Sequence, residues 1–280
     1  MFIELNIPFQ VVNKNLQLSS QVVASLTKLG YSGVVLNTII ENRRVKQEDA
    51  PQEISIASKS SDVQSETMKS NSESSNEFHI YRRLTISTNT VEAASSISSG
   101  SASKQYDLLA IRTENQAVFE YACKEAKIDI IEINFSKKVP FKLNKKIIDV
   151  AINRGIMFEL PISQSLRDRT ARKLFFSFSY QLIFVTRGNH IIFSNGDAIP
   201  LEQKSPRDYI ILAQLLGIPY EKAKRCLVDN VIQLFENANK RSIVSDSFII
   251  EENKGNDTIE SEEASKEQIE ESMDDDFLAL

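Results

Sequence analysis

The sequence predicts an α/β fold of the TIM-like (β/α) barrel type. Three observations support this prediction. Seven short apolar runs have the composition of buried strands, and segments with a helical period of apolar residues lie between them. Strands alternating with helices form parallel βαβ units, in a closed barrel or in a doubly wound sheet. The number of strands and the lack of a GxGxxG motif favour a closed or nearly closed barrel.

The predicted elements follow in chain order. Strands are expected at 2–7, 33–38, 81–87, 106–111, 128–133, 156–160 and 190–194. Helices are expected at 18–30, 114–126, 143–155, 165–184, 205–218 and 221–238, with a weak helix and a turn in the serine cluster 93–103.

The stretch AINRGIMFEL, residues 151–160, joins a predicted helix to a predicted strand. The helix is expected to end at Arg154 and Gly155, because glycine readily takes the left-handed conformation that ends helices. The strand brings Glu159 to its C-terminal end, where α/β folds keep their active sites.

Two segments differ from the rest in composition. Residues 46–77 are rich in Ser and Glu without an aromatic, and residues 244–280 hold thirteen acidic side chains against two lysines. Such segments cannot bury enough apolar surface to offset the entropy lost on ordering. We expect one barrel domain at 1–243, interrupted by a disordered insertion at 46–77 and followed by a disordered acidic tail at 244–280. The final DDDFLAL is either a solvated terminus or a short docking motif.

The formal net charge of −5 is the sum of two acidic segments and a basic remainder, which we call the basic body. Residues 46–77 contribute −4 and residues 244–280 contribute −11, which leaves +10 on the remaining residues. A body of this charge can bind a polyanion, although ordinary solvated lysines would give the same balance.

Cysteine usage and hydropathy narrow the setting. Two cysteines, Cys123 and Cys226, cannot form a disulfide framework. We expect both side chains to be small core residues, and we expect the protein to lie in a reducing compartment, the cytosol or the nucleus. No apolar run approaches the ~20 residues that a membrane span requires, so no membrane partner is expected.

Catalysis by the chain itself is not expected. Polar residues do fall near predicted strand C-termini: Asn6, Asn37, Glu132, Glu159, Asn195 and Asp197. Metal-dependent hydrolases, however, bind their metal through several His and carboxylate ligands. His79 and His190 are the two histidines, and both lie at strand N-termini. No GxSxG motif occurs, and neither histidine is placed to activate Ser194. We expect no catalytic residue, metal or cofactor; a phosphoesterase or amidohydrolase with an atypical metal site is the alternative.

The order of several segments is similar to that of a known family. IELNIP, LGYSGVVLN, RRLTI and YDLLAI precede AINRGIMFEL, SLRDRTARK, HIIFSNGDAIPLEQKSPRD, and LAQLLGI with EKAKRCLVDN. In this order they resemble the thirty-kilodalton protein subunit shared by nuclear ribonuclease P and ribonuclease MRP, over nearly all of residues 1 to 240. The resemblance implies a TIM-like barrel similar to the PHP phosphoesterases but without their metal site. Asn6 and Pro8 stand where a PHP enzyme has its first-strand His-x-His pair.

The resemblance also implies a non-catalytic role. With other protein subunits, the family positions a catalytic RNA that removes the 5′ leader of precursor tRNA, and in ribonuclease MRP it supports pre-rRNA processing. The implied partners are both RNAs, the other protein subunits and, indirectly, precursor tRNA; the implied location is the nucleus, and the nucleolus within it. The chain departs from the family pattern at Ile162, Lys204 and the turn 195–197. A protein scaffold with incidental basic charge remains a third possibility.

Basic side chains are the candidate RNA contacts. They are Arg83, Arg154, Arg167, Arg169, Arg172, Lys173, Lys204 and Arg207. With no RRM-like aromatic signature, contacts to phosphate and shape are expected rather than base readout. For the run 167–173, a solvated basic face is the alternative. Phe175, Phe176, Phe178 and Tyr180 are expected to be core residues.

Two arginine assignments stay open. Arg154 either stabilises a helix C-terminus, contacts RNA phosphate or pairs with Glu159. Arg82 and Arg83 alternate across the third strand, so one points inward to a carboxylate such as Glu159. We assign Arg82 and Glu159 as structural ion-pair candidates and leave Arg83 for RNA.

Overall fold

The computed structural model describes residues 1–13, 16–51, 78–135, 138 and 142–243. Within these ranges, seven strands lie side by side in chain order, and each pairs with the next in parallel. The strands are β1 (Ile3–Pro8), β2 (Gly33–Glu41), β3 (His79–Ser87), β4 (Leu108–Arg112), β5 (Ile130–Glu132), β6 (Met157–Pro161) and β7 (Ile191–Ser194). The predicted TIM-like α/β barrel is confirmed, and it is nearly closed.

Helices lie between and after the strands. They are α1 (Phe9–Asn13), α2 (Leu16–Lys28), α3 (Val91–Ser99), α4 (Gln116–Lys124), α5 (Lys145–Asn153), α6 (Ser163–Arg167), α7 (Arg169–Thr186), α8 (Pro206–Leu215), α9 (Tyr220–Arg225) and α10 (229–238). These belong to a compact unit, Met1–Ala238. Of a second unit, Asn239–Leu280, the structure describes residues 239–243, which are helical. No helix in the described ranges is long and apolar enough to cross a membrane.

Two predicted helices are each divided in two. The helix expected at 165–184 breaks at Asp168, whose extended backbone and side-chain acceptor make it the N-cap of α7. The Asp168 carboxylate accepts from the amide of Ala171 at 2.6 Å, satisfying one of the free donors at a helix start. The helix expected at 221–238 is interrupted by a turn at 226–228.

The first residues of the predicted insertion, 46–51, belong to the described part of the chain. Residues Gln47–Asp49 form a turn of 3₁₀ helix, in which the Asp49 carboxylate lies 2.5 Å from Arg43. The Asp49 carbonyl accepts from the Tyr106 hydroxyl at 2.9 Å. Residues 52–77 and the tail 244–280 lie outside the described residues, so their disorder stays a prediction.

The core has two layers. The larger layer lies between the outer face of the sheet and the helices and contains Cys123 and Cys226, both buried as predicted. A smaller layer fills the barrel interior at the N-terminal ends of the strands, where Leu108, Ile130 and Met157 pack against α10. Apolar side chains therefore close the N-terminal end of the barrel, and the polar interior residues are confined to the C-terminal end.

Candidate functional site

Arg83 stands at the centre of the polar interior. On β3, Leu84 and Ile86 pack in the outer apolar layer, so the alternation of the strand turns Arg83 and Thr85 inward. Arg83 is fully buried. Its Nε donates to Thr85 Oγ1 at 3.0 Å, and its Nη1 donates to the carbonyl of Leu5 at 3.2 Å.

An irregularity in β1 helps to line this interior. The pairing register of β1 with β2 shifts between Glu4 and Ile7. The shift lets two consecutive residues face inward, Leu5 in the interior apolar layer and Asn6 in the polar part. In a regular strand, neighbouring side chains point to opposite faces, so this bulge adds an interior polar group.

Five interior side chains form a closed ring, which we call the interior ring: Arg83, Thr85, Asn37, Asn6 and Glu159. From Arg83, the ring continues through Thr85 Oγ1 to Asn37 Oδ1 at 2.7 Å, and through Asn37 Nδ2 to Asn6 Oδ1 at 2.8 Å. Asn6 Nδ2 then donates to Glu159 Oε1 at 3.0 Å. Glu159 Oε2 lies 2.6 Å from Arg83 Nη2, which closes the ring.

A second carboxylate extends the ring to the rim of the barrel. Glu132 Oε2 accepts from Arg83 Nη2 at 2.8 Å, while its Oε1 accepts from Arg112 Nε at 3.0 Å. Two guanidinium groups thus face two carboxylates, so the charges in this interior balance. Burial alone would lower the pKa of Arg83, but the charges of Glu159 and Glu132 raise it above its ordinary value.

A third buried carboxylate, Glu4, lies at the open seam of the barrel, between the end strands β1 and β7. Glu4 Oε1 on β1 accepts from the backbone amide of Asn195, just after β7, at 2.8 Å. Burial, together with the nearby charge of Glu159, raises the pKa of Glu4 from 4.5 to about 8. Glu4 is therefore largely protonated at neutral pH and bridges two strands that form no ladder in the described structure.

The interior does not suit a catalytic metal. Among the residues that the structure describes, no three His, Cys, Asp or Glu side chains are grouped so that they could hold one. A divalent cation placed between Glu132 and Glu159 would lie against the positive charge of Arg83. His79 is the first residue of β3 and His190 precedes β7, so both histidines lie at the opposite end. We derive no step through a metal.

The assignments of Arg82 and Arg83 were reversed. Arg83, a predicted RNA contact, is fully buried and pairs with Glu132 and Glu159, so it cannot reach RNA. Arg82, the predicted ion-pair partner of Glu159, faces the outer side and is half-buried. Glu159 is a structural ion-pair residue, but with the other arginine. The positions of Leu84 and Ile86 predict that Arg83 points inward, because the outer face of such a sheet packs against helices and is apolar.

Arg154 has a third kind of partner. Its Nη1 donates to the carbonyls of Ala122 and Cys123 at 3.2 and 2.9 Å, and its Nη2 donates to the carbonyl of Ala126. These carbonyls belong to the C-terminal end of α4 and the turn after it. Arg154 therefore caps a neighbouring helix and does not pair with Glu159; the salt dependence of RNA binding decides whether it also contacts phosphate. Gly155 has φ of +80° and follows α5 as predicted.

The remaining candidate RNA contacts fall into two groups. Arg167 binds Glu202 through Nε at 2.9 Å and Asp197 through Nη2 at 2.5 Å, and Arg172 donates to the carbonyls of Ser165 and Leu166. Arg169, Lys173 and Arg207 are exposed, and Lys204 is half-buried. The first group orders the loops around α6, whereas the second presents positive charge to solvent.

Comparison with protein families identifies the chain. A family described as RNase P subunit p30 matches residues 1–242. The chain belongs to this family.

Three relatives of this p30-family chain show how far the similarity extends. Protein GAMETOPHYTE DEFECTIVE 1 of Arabidopsis thaliana is 35% identical over 59% of the chain, and the match spans 28% of the plant protein's length. The probable ribonuclease P protein subunit 3 of Schizosaccharomyces pombe is 26% identical over 86% of the chain and 95% of that protein. The ribonuclease P/MRP protein subunit RPP1 of Saccharomyces cerevisiae is 22% identical over 86% and 82%, respectively.

A solved structure shares the fold of the p30-family chain. A chain in the cryo-EM structure of archaeal ribonuclease P with mature tRNA superimposes with a TM-score of 0.58 at 12% identity. The match covers 86% of this chain and 92% of the archaeal one. At this identity, the likeness concerns the fold alone.

The exposed aromatic residues of the p30-family chain were missed by sequence reasoning. Phe175 and Phe178 are buried as predicted, but Tyr180 is 48% exposed and Phe184 is 84% exposed. Helix α7 is apolar on most of its circumference, so the helical period does not show which aromatic side chains face the barrel.

Proposed function

We propose that the chain is a non-catalytic protein subunit of ribonuclease P. It binds the particle's RNA and partner proteins and thereby supports removal of the 5′ leader from precursor tRNA. We extend the proposal to ribonuclease MRP and pre-rRNA processing, since one relative carries the names of both particles. The corresponding location is the nucleus, including the nucleolus.

One observation carries the non-catalytic part of the proposal. The C-terminal end of the barrel, where α/β barrels place their reacting groups, is filled by the guanidinium of Arg83 between Glu132 and Glu159. Both carboxylates are almost completely buried and are held by arginines, so neither is free to act as a general base.

The RNA-binding part rests on charge and exposure. Arg169 and Lys173 lie four residues apart on α7, which places them on one helix face. Arg207 on α8 is exposed as well, and Lys204 before it is half-buried. Such side chains neutralise phosphates without reading bases.

The direct test is to purify the chain from its own cells with an affinity tag and sequence the bound RNA. We expect strong enrichment of ribonuclease P RNA and of ribonuclease MRP RNA, and cleavage of precursor tRNA by the purified particle. The isolated chain, supplied with Mn²⁺ or Zn²⁺, is expected to leave precursor tRNA and a model phosphodiester intact. Turnover by the isolated chain would support the metal-dependent phosphoesterase instead. A tagged chain that brings down neither RNA would refute the proposed function.

A further inference from the structure

Phe184 is a large apolar side chain on the outside of the barrel unit. It lies near the C-terminal end of α7 and is 84% exposed. Two surface grooves, of about 730 and 760 Å³, lie on either side of it and share Tyr180, Phe184 and Val185 as lining residues. Phe184 therefore forms a ridge between two adjoining grooves, which we call the α7 grooves.

The walls of the α7 grooves are mainly apolar. One groove is lined by Leu143, Leu174 and Phe178. The other is lined by Ile183, Ile218 and Pro219. Leu215 on α8, whose carbonyl accepts from the groove-lining Tyr180 hydroxyl at 3.0 Å, adds further apolar surface and is 61% exposed. Contiguous apolar surface of this kind, with an aromatic side chain in its middle, is typical of a protein-binding site.

Positive charge surrounds this apolar surface. Among the described residues, five cationic side chains and no carboxylate line the two grooves: Lys138, Lys142, Lys145, Arg187 and Lys222. Lys145 also pairs with Asp149 at 2.6 Å, while Lys222 donates to the carbonyl of Arg187 at 2.9 Å. The surface thus combines an apolar floor with a cationic rim.

We propose that the α7 grooves bind an acidic amphipathic segment of another protein subunit of the same particle. Its apolar side chains lie on either side of Phe184, and its carboxylates face the lysines of the rim. This inference rests on the proposed function, because that function supplies the particle. RNA would satisfy the rim and would find stacking partners in Phe184 and Tyr180. The aliphatic walls formed by Leu143, Ile183 and Ile218, however, offer RNA neither hydrogen bonds nor stacking, whereas they suit the apolar side chains of a protein segment.

The test uses the full-length tagged chain in its own cells. Phe184 is replaced by the photo-crosslinking residue benzoylphenylalanine, the particle is irradiated, and the crosslinked peptide is sequenced. In parallel, Phe184→Glu is compared with Ile232→Glu, a matched change at an exposed apolar residue of α10 that is 54% exposed. Each variant is first required to unfold at the wild-type temperature, so that a loss of binding is not a loss of fold.

We expect the crosslink to join Phe184 to a segment of another protein subunit in which acidic residues alternate with large apolar ones. Phe184→Glu should lower recovery of that subunit by roughly tenfold or more, as expected for loss of a central apolar anchor, while Ile232→Glu leaves it unchanged. A crosslink to RNA, to a second copy or to the chain itself would overturn the inference, as would full subunit recovery with Phe184→Glu. If the wild-type chain lacks ribonuclease P RNA, the proposed function fails, and the sequence of the crosslinked peptide then shows only whether the α7 grooves bind an acidic amphipathic segment.

Discussion

Arg83 Nη2 lies 2.6 Å from Glu159 Oε2, and neither side chain is exposed to solvent. This ion pair occupies the end of the barrel at which a barrel enzyme would carry its reacting groups. Two features of the sequence bring the pair together: the alternation of β3 points Arg83 into the barrel, and Glu159 lies on β6. Its consequences can be measured as stability, as RNA binding and as cleavage.

Replacing the buried arginine should destabilise the chain strongly. Arg83→Met leaves Glu132 and Glu159 without their shared partner, and we expect a loss of about 3 to 5 kcal/mol in the free energy of unfolding. Arg82→Met, at the neighbouring half-buried residue on the other face, should cost under about 1 kcal/mol. Denaturant unfolding of both variants checks this. If Arg83→Met lowers the free energy of unfolding as little as Arg82→Met is expected to, the interior ring contributes little to stability.

Arg154→Ala should lower stability without changing how RNA binding depends on salt. The variant removes donors to the C-terminal carbonyls of α4, and we expect a loss of about 1 to 2 kcal/mol because the side chain is partly exposed. Glu159→Gln in the same background should not restore stability. The measurement is thermal unfolding together with RNA affinity from low to moderate salt. A reduced salt slope in a well-folded variant would instead identify Arg154 as a phosphate contact.

The exposed cations of α7 should contribute to RNA binding individually. For each of Arg169→Gln and Lys173→Gln, we expect the slope of log affinity against log salt to decrease by about 0.7 to 0.9, one phosphate contact each. Lys124→Gln is the matched control, since its ammonium group pairs with Glu120 at 2.9 Å on α4. Titration of ribonuclease P RNA at several salt concentrations distinguishes these outcomes. Unchanged slopes in both α7 variants would place the RNA elsewhere.

The seam carboxylate should make stability depend on pH. Glu4 has a folded pKa of about 8 against 4.5 when unfolded, so the stability it contributes is complete below pH 4.5 and is lost as pH rises through 8. Glu4→Gln keeps an oxygen for the amide of Asn195 and removes the titration. We expect the wild type to lose stability relative to this variant by on the order of 1 kcal/mol per pH unit between pH 5 and 8. Parallel stability curves for the two proteins would refute it.

Much of the fold could be predicted because buried parallel strands leave a strong apolar signal. All seven strands appear in the predicted order, and Asn6, Asn37, Glu132 and Glu159 meet at the predicted end of the barrel. The phase of β3 was not settled, since alternation alone places one of two adjacent arginines inward without saying which. Leu84 and Ile86 would have settled it, because the outer face of the sheet contacts helices.

Other features depend on packing between distant parts of the chain. The bulge in β1 that turns both Leu5 and Asn6 inward follows from its pairing with β2, and no local pattern in IELNIP reports it. Arg154 reaches α4 across about thirty positions of sequence. The break at Asp168 was readable, because an aspartate three residues before a helical amide is a common N-cap, yet the continuous apolar period concealed it.

The most direct test of the non-catalytic account is cleavage of precursor tRNA by particles that contain the variant Arg83→Met, Arg112→Met, Glu132→Gln, Glu159→Gln. This variant removes two arginines and the two carboxylates that they pair with, so none of these four groups is left as an unpaired ion, and the fold is expected to survive. We predict that particles purified from cells with this variant as the sole copy contain every subunit and cleave the 5′ leader at the wild-type rate. Particles of complete composition that no longer cleave would contradict the account.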